Sequence, residues 1–292
     1  MQHRTLYNPT LPRRAPAAPW KLLRPVPRVA VLVIWTLVIV VPMLAVFSVA
    51  VKTRLELLSN PLGWPQQFHW ENFVNAWQQA NLGQAFLNSI IITVSSVIGI
   101  ILIGAAAAYP LARRSGKSYN IIYLYFFAGI ILPGQFGLFA LYREWTTFNL
   151  VNTLPGVILC AIGGAMPFVI FLYTGFIKTV PRELEEAAKL DGAGPFRAFW
   201  TIVFPLLKPA TATVIITSGL GVWNDLFTAL VFLQDQDKQT LPLAIYSFVG
   251  QYGNDWTLLL ASIIMASIPV IAVFLFLQRY FVQGLSGGAL RG

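Results

Sequence analysis

The chain is poor in the residues on which most soluble chemistry depends. Of its 292 residues only 11% are charged, two are histidine and one is cysteine. A soluble domain carries about 25% charged residues, so a soluble globular enzyme is excluded at the outset. The lone Cys160 excludes a disulfide framework or a thiolate metal cluster within the chain. The isolated His3 and His69 support neither a metal site nor a Ser-His-Asp arrangement. No catalytic residue and no metal ligand is expected. Gly116-Lys117-Ser118 looks like the end of a phosphate-binding loop. But Leu111 stands where that loop's first glycine belongs, and no strand precedes it. The chain is therefore not expected to bind ATP by itself. Disorder is excluded too, because 57% of the residues are hydrophobic.

What the chain does have is long apolar runs. Crossing a bilayer takes about 20 apolar residues, and six stretches qualify. They are Val29–Val51, Ala85–Ala112, Ser118–Tyr142, Leu150–Ile177, Pro209–Leu233 and Trp256–Gln278. Five carry no charge; the fifth stretch holds Asp225. The runs are too long for strands and do not alternate. In hydrocarbon the backbone must satisfy its own hydrogen bonds, so these are helices. The expected fold is an all-α integral membrane protein with six spans.

The positive net charge of +9 is a topology signal. With the N-terminus inside, 16 of the 20 basic residues fall on the inner side, as the positive-inside rule requires. Both termini are then inside, and a nucleic-acid partner is not implied. Residues 1–28, rich in proline and arginine, read as a basic cytoplasmic tail. Residues 29–282 form the membrane domain, and 283–292 a second cytoplasmic tail. Ser48-Val49-Ala50 resembles a signal-peptidase site, but the apolar run before it exceeds the typical h-region of about 7–15 residues. An outer loop at 52–84 carries Trp64, Trp70 and Trp77, with a short helix expected around Trp70–Ala80. A second outer loop, Gln234–Asp255, is polar.

The inner segment 178–208 is the most informative. Pro181 suits a first helical turn, and Glu183, Glu185 and Glu186 follow where the helix dipole favours anions. Glu185 and Lys189 stand at i,i+4 and are expected to pair. Gly192 sits where a left-handed glycine ends a helix. Gly194-Pro195 starts a second short helix, which Pro205 ends. Leu184, Ala187, Ala188 and Asp191 line one side of the first helix. The resulting elbow is either an amphipathic helix resting on headgroups or a knob shaped for a groove on a soluble partner.

Glu186-Ala187-Ala188, Gly192, Ile202 and Pro205 reproduce the spacing EAA-x3-G-x9-I-x-L-P, with Phe204 in place of the leucine. This resembles the EAA loop of ABC importer permeases. The similarity covers about residues 29–292. Asn88-Ser89, Ala108-Tyr109 before Leu111-Ala112-Arg113, Trp223-Asn224-Asp225 and Leu241-Pro242-Leu243 are similar to carbohydrate-importer permeases. The ending from Gln278 to Gly292 is similar to that of the maltose-type permease subunit, with Arg291 for the usual lysine. The resemblance implies a type I ABC importer permease fold in a prokaryotic cytoplasmic membrane. It implies a second permease subunit, an ATPase dimer holding ATP and Mg, and an extracytoplasmic sugar-binding protein as partners. No cofactor is implied in this chain. It also implies ATPase coupling through Glu185, Glu186, Ala187, Ala188, Asp191, Gly192, Ile202 and Pro205. An oligosaccharide is the implied cargo. A sugar phosphate such as glycerol 3-phosphate is the alternative, and an ion-coupled secondary transporter, for which Asp225 alone could serve as relay, is the weaker rival.

Trp223, Asn224 and Asp225 are the candidate substrate-pathway residues. On an unbroken helix Asp225 lies about 12 Å from the outer end of its span. It faces the bundle interior either as an acceptor for sugar hydroxyls or as a polar clasp to another span or to the partner permease; the clasp is the favoured reading. Gly250, Gln251, Tyr252, Gly253 and Asn254 form a polar turn, where the resemblance places a contact with the binding protein or an ordinary turn.

Overall fold

The computed structural model describes residues 25–250 and 255–289, with side chains for 29–250 and 255–276. Every regular element among them is helical. In chain order these are α1 (Pro25–Ala50), α2 (Arg54–Ser59), α3 (Glu71–Gln79), α4 (Leu82–Arg113), α5 (Lys117–Gly129), α6 (Leu138–Thr147), α7 (Leu154–Thr179), α8 (Glu183–Leu190), α9 (Pro195–Leu206), α10 (Lys208–Trp223), α11 (Leu226–Phe232), α12 (Leu241–Gly250) and α13 (Trp256–Ala289). Four helices, α1, α4, α7 and α13, are each long and apolar enough to cross a membrane. Two bent pairs, α5 with α6 and α9 with α10, bring the total to as many as six spans.

The chain divides into two units, residues 1–48 and 49–292. Of the first, α1 is described. It begins at Pro25, inside the expected basic tail, and residues 1–24 of that tail lie outside the described residues. The helix is apolar on every side, as a membrane span is.

In the second unit the most extensive packing joins α4 to α7. Small residues make it possible: Ala105 and Ala108 are buried, and a Cβ at Gly104 would lie 2.5 Å from Val169 Cγ1. Without a hydrophobic driving force between helices in lipid, such close backbone approach is how spans hold together. Phe199, Val203 and Leu207 of the α9 region and Ala210 and Val214 of α10 complete this core. A second cluster joins Ala76, Leu82, Ala85, Trp223, Phe248 and Leu259 near the far end of α4.

Two expected spans are broken. The stretch Ser118–Tyr142 bends by 99° between α5 and α6. Pro133 lacks the N–H a continuing helix needs, and Gly134 and Gly137 stand in the short 3-10 turn that follows it. The stretch Pro209–Leu233 is helical only to Trp223; Asn224 ends α10, and Asp225 is extended (φ −75°, ψ 97°) before α11 begins. The last helix runs the other way from expectation, continuing past Gln278 to Ala289 through the glycine-rich segment read as a tail; residues 290–292 lie outside the described residues. The helix expected near Trp70–Ala80 is α3.

Lys52, one of the four basic residues that fall on the outer side by sequence, is fully buried. Its Nζ donates to the carbonyls of Asn60 (2.9 Å) and Gly63 (2.6 Å), and Asn72 Nδ2 donates to the carbonyls of Ala50 and Lys52. These bonds fold the 52–72 loop upon itself.

Candidate functional site

The elbow forms from its sequence as expected at its first turn. Glu183, Glu185 and Glu186 fill the first turn of α8 and Lys189 the last. Gly192 adopts φ +82°. Ala193 N–H donates to Ala188 O (2.9 Å) and Gly192 N–H to Lys189 O (3.0 Å). This pair of bonds is a Schellman end, which needs a left-handed residue at Gly192. Gly194 then precedes Pro195 at the first position of α9. Pro205 does not stop the second helix. Instead residues Phe199–Val203 widen into a π turn, and the helix continues to Leu206 before bending by 75° into α10. A proline ring meets the carbonyl four residues earlier, here Thr201, and the π turn removes that clash.

Glu185 is where the structure departs most from expectation. It is buried at 7% exposure and does not pair with Lys189. Arg113 Nε donates to its Oε1 at 2.6 Å and Tyr109 OH to its Oε2 at 2.6 Å. Arg113 Nη2 also donates to Val180 O (2.9 Å), and Arg182 Nη2 donates back to Arg113 O (3.3 Å). The Tyr109 ring lies 4.8 Å from that of Phe199. One carboxylate thus ties the elbow to the end of α4. Both its oxygens are engaged, which is the condition for keeping a charge buried. Sequence reasoning missed the anchor. Its signal was present: Tyr109 and Arg113 stand at i,i+4 at the end of the apolar run that starts at Val97.

The apolar side expected of α8 is divided. Ala188 is buried against the rest of the elbow, whereas Ala187, Asp191, Gly192 and Glu186 are exposed. Leu184 (42%), Leu190 (91%) and Phe196 (78%) project from the elbow alongside them. Ile202 is half-buried and Pro205 exposed. Between the elbow and α4 lies a cleft of about 480 Å³ bordered by Tyr109, Arg113, Lys189 and Trp200.

At the far end of α4, two quoted motifs meet. Asn88 Nδ2 donates to the carbonyls of Asp237 (2.8 Å) and Gln239 (2.9 Å). Leu241 N–H donates to Ser89 Oγ (2.8 Å). Both side chains are buried. The pair holds the 237–241 backbone and so sets where α12 starts. Gly250 is the last residue of α12; Gln251, Tyr252, Gly253 and Asn254 lie outside the described residues.

Trp223, Asn224 and Asp225 do not converge on one point. Trp223 is buried with its ring edge-on to Phe86 (5.7 Å). Asn224 is exposed and donates to Leu220 O (2.9 Å). Asp225 caps α11, its Oδ1 accepting from Thr228 N–H at 3.0 Å. The break in the helix supplies a local backbone partner, so Asp225 is a capping residue, and among the described residues no clasp to another span is formed. Trp223 also borders a groove of about 510 Å³ between α4, α10 and α13, lined by Ile, Val, Leu, Pro and Phe side chains. Apart from the Thr93 hydroxyl and the Trp223 indole N–H, that lining offers no side-chain hydrogen-bonding group for a sugar.

Comparison with known proteins places this architecture. Residues 100–287 match the family described as binding-protein-dependent transport system inner membrane component. The melibiose/raffinose/stachyose import permease protein MelC of Bacillus subtilis is 41% identical over 86% of this chain and 91% of its own. The diacetylchitobiose uptake system permease protein NgcG of Streptomyces coelicolor is 37% identical over 90% of this chain and 87% of its own. A solved bacterial ABC transporter involved in the import of the acidic polysaccharide alginate superposes with a TM-score of 0.78 at 20% identity. That match covers 92% of this chain and all of the other. With the elbow, the apolar spans and a match across most of its length, the chain belongs to the binding-protein-dependent transport system inner membrane components.

Proposed function

We propose that the chain is a permease subunit of an ATP-driven oligosaccharide importer, working beside a second permease, two ATPase subunits and an extracytoplasmic sugar-binding protein. The observation that carries this is the elbow. A short helix is tied down on one side through Glu185 and presents Leu184, Ala187, Leu190 and Phe196 on the other. An exposed apolar projection on a held base fits insertion into a groove of a soluble partner. The motif at 186–205 and the sugar permeases among its relatives support the same reading. In it, the elbow and both termini are cytoplasmic, ATP and Mg are bound by the partner ATPase, and this chain holds no cofactor. Glu186, Ala187, Asp191 and Gly192 face the ATPase. Glu185, Ala188, Ile202 and Pro205 shape the elbow behind them. Gly250–Asn254 faces the binding protein.

The test is a mild-detergent pull-down of the full complex. Recovery of an ATPase and a second permease, with hydrolysis stimulated by sugar-loaded binding protein, supports the reading. A chain that purifies alone and moves solute without ATP overturns it. Gly192→Val places a β-branched residue at φ +82° and distorts the elbow. This variant stays in the membrane and loses the ATPase; undiminished ATPase recovery counts against the elbow as the docking element.

A further inference from the structure

We infer that α4 is a strut that carries motion of the elbow across the membrane to the outer 237–241 loop, with Glu185, Arg113 and Tyr109 as positioning residues at one end and Asn88 and Ser89 at the other. The inference rests on the reading of the elbow as the ATPase contact.

Four observations lead to it. The two fastenings lie on one unbroken helix, 25 positions apart between Asn88 and Arg113, or about 37 Å at 1.5 Å per residue. Each joins segments remote in sequence: Arg113 to Glu185 across 72 positions, Asn88 to Gln239 across 151. Between them α4 is clamped against α7 by small residues, with Gly104 directly under Val169. A closely packed helix shifts as a body because its contacts are bistable and do not stretch. The weakest point of the rod is its last turn, where Pro110 lacks an N–H. That is the turn carrying Tyr109 and Arg113, so the elbow grips α4 on both sides of the proline.

The consequence is directional. When the elbow moves, Glu185 draws the Arg113 end of α4 with it. The far end then shifts the backbone of 237–241 and the start of α12, which leads to the segment proposed to meet the binding protein. Asn88 and Ser89 grip main-chain atoms, so the loop follows whatever its side chains are.

The experiment uses the complete transporter in proteoliposomes. The parent carries Asp237→Cys, at an exposed position, with Cys160→Ala removing the native thiol. Modification by a membrane-impermeant maleimide is timed with and without ATP and Mg. In the parent the rate changes on the order of fivefold, the low end of ordinary coupling between sites. In Glu185→Gln, and separately in Ser89→Ala, that difference falls to less than about twofold while the ATPase still co-purifies. Exchanging the charges as Glu185→Arg with Arg113→Glu restores it, which a merely structural contribution of either residue alone does not explain. A nucleotide response that persists in Glu185→Gln and Ser89→Ala overturns the strut, as does a parent loop indifferent to nucleotide. A parent from which no ATPase is recovered instead overturns the elbow reading beneath it.

Discussion

The two ends of α4 are fastened by different chemistry. At the elbow, a guanidinium and a phenol converge on one buried carboxylate. At the far end, an amide and a hydroxyl engage three backbone groups. The first fastening reads side-chain identity on both partners, and losing either strands a charge. The second reads only the loop's main chain, and the loop's own side chains are free to differ. On the proposed reading of the elbow as the ATPase contact, its anchor on α4 is specified residue by residue, and the 237–241 end by backbone course.

The largest effect belongs to the charged end. Arg113→Ala or Glu185→Ala leaves its partner buried without a counter-charge and destabilises the chain by about 3–5 kcal/mol. Replacing both, as Arg113→Met with Glu185→Leu, recovers most of that, because no charge remains to be buried. A thermal melt in detergent, followed by exposure of the Cys160 thiol, checks it. Equal losses in single and double variants would show that charge pairing is not what holds this end.

Between the ends, Gly104→Ile forces a side chain into Val169 Cγ1, where even a Cβ has only 2.5 Å. Overpacking costs about 1–3 kcal/mol. The same melt reads it, and a neutral outcome would mean that α4 and α7 separate easily and that the rod is not clamped.

The far end responds less. Asn88→Ala removes two hydrogen bonds to carbonyls and costs about 1–1.5 kcal/mol. Asp237→Ala, which alters the same loop residue outside its gripped carbonyl, changes stability by about 0.5 kcal/mol or less. If Asp237→Ala matches Asn88→Ala, the loop is held by its side chains and the contrast between the ends dissolves. Asp225→Ala, another side chain bonded to backbone on this side, costs about 1 kcal/mol through the lost cap on α11. Asp225→Ser restores most of it, and failure of that rescue would assign Asp225 a partner beyond Thr228.

Sequence carried the helices and the elbow well, and for physical reasons. Apolar length is a direct measure of a span, and Gly192 and Gly194-Pro195 are local signals read without tertiary context. The errors came where a distant group changes what a residue does. Glu185 has a good local partner in Lys189, yet the half-buried Arg113 and Tyr109 outbid a solvated i,i+4 pair worth a few tenths of a kcal/mol. Asp225 was read on an unbroken helix, and hydropathy does not report the break that makes it a cap. Lys52 counts as an outer charge by position, although it is buried with its ammonium on the carbonyls of Asn60 and Gly63. Asn88-Ser89 was legible as a motif, but its partner 237–241 required the fold.

The smallest effect separates the two ends by pH. Asp235, in the loop just before the gripped segment, has its carboxyl held below the ordinary carboxylate value, first by the hydrogen bond from Lys238 and then by that from Asn152. A group whose folded pKa lies below its unfolded one stabilises fully above the unfolded value, about 3.9 for aspartate, and loses that contribution as pH falls through the folded value. Acidification from neutrality therefore loosens the 234–240 loop only below about pH 4. Because Asp235 is exposed, the change is small and local. Hydrogen exchange, taken as protection relative to the intrinsic rate at each pH, should show the loop amides losing protection in that range. Asp235→Asn should already show the reduced protection at neutral pH and no further acid step. An acid step that survives in Asp235→Asn would locate the titration elsewhere in the chain, with Glu71, whose carboxyl is held below the ordinary value chiefly by the hydrogen bond it accepts from His69, the next group to replace.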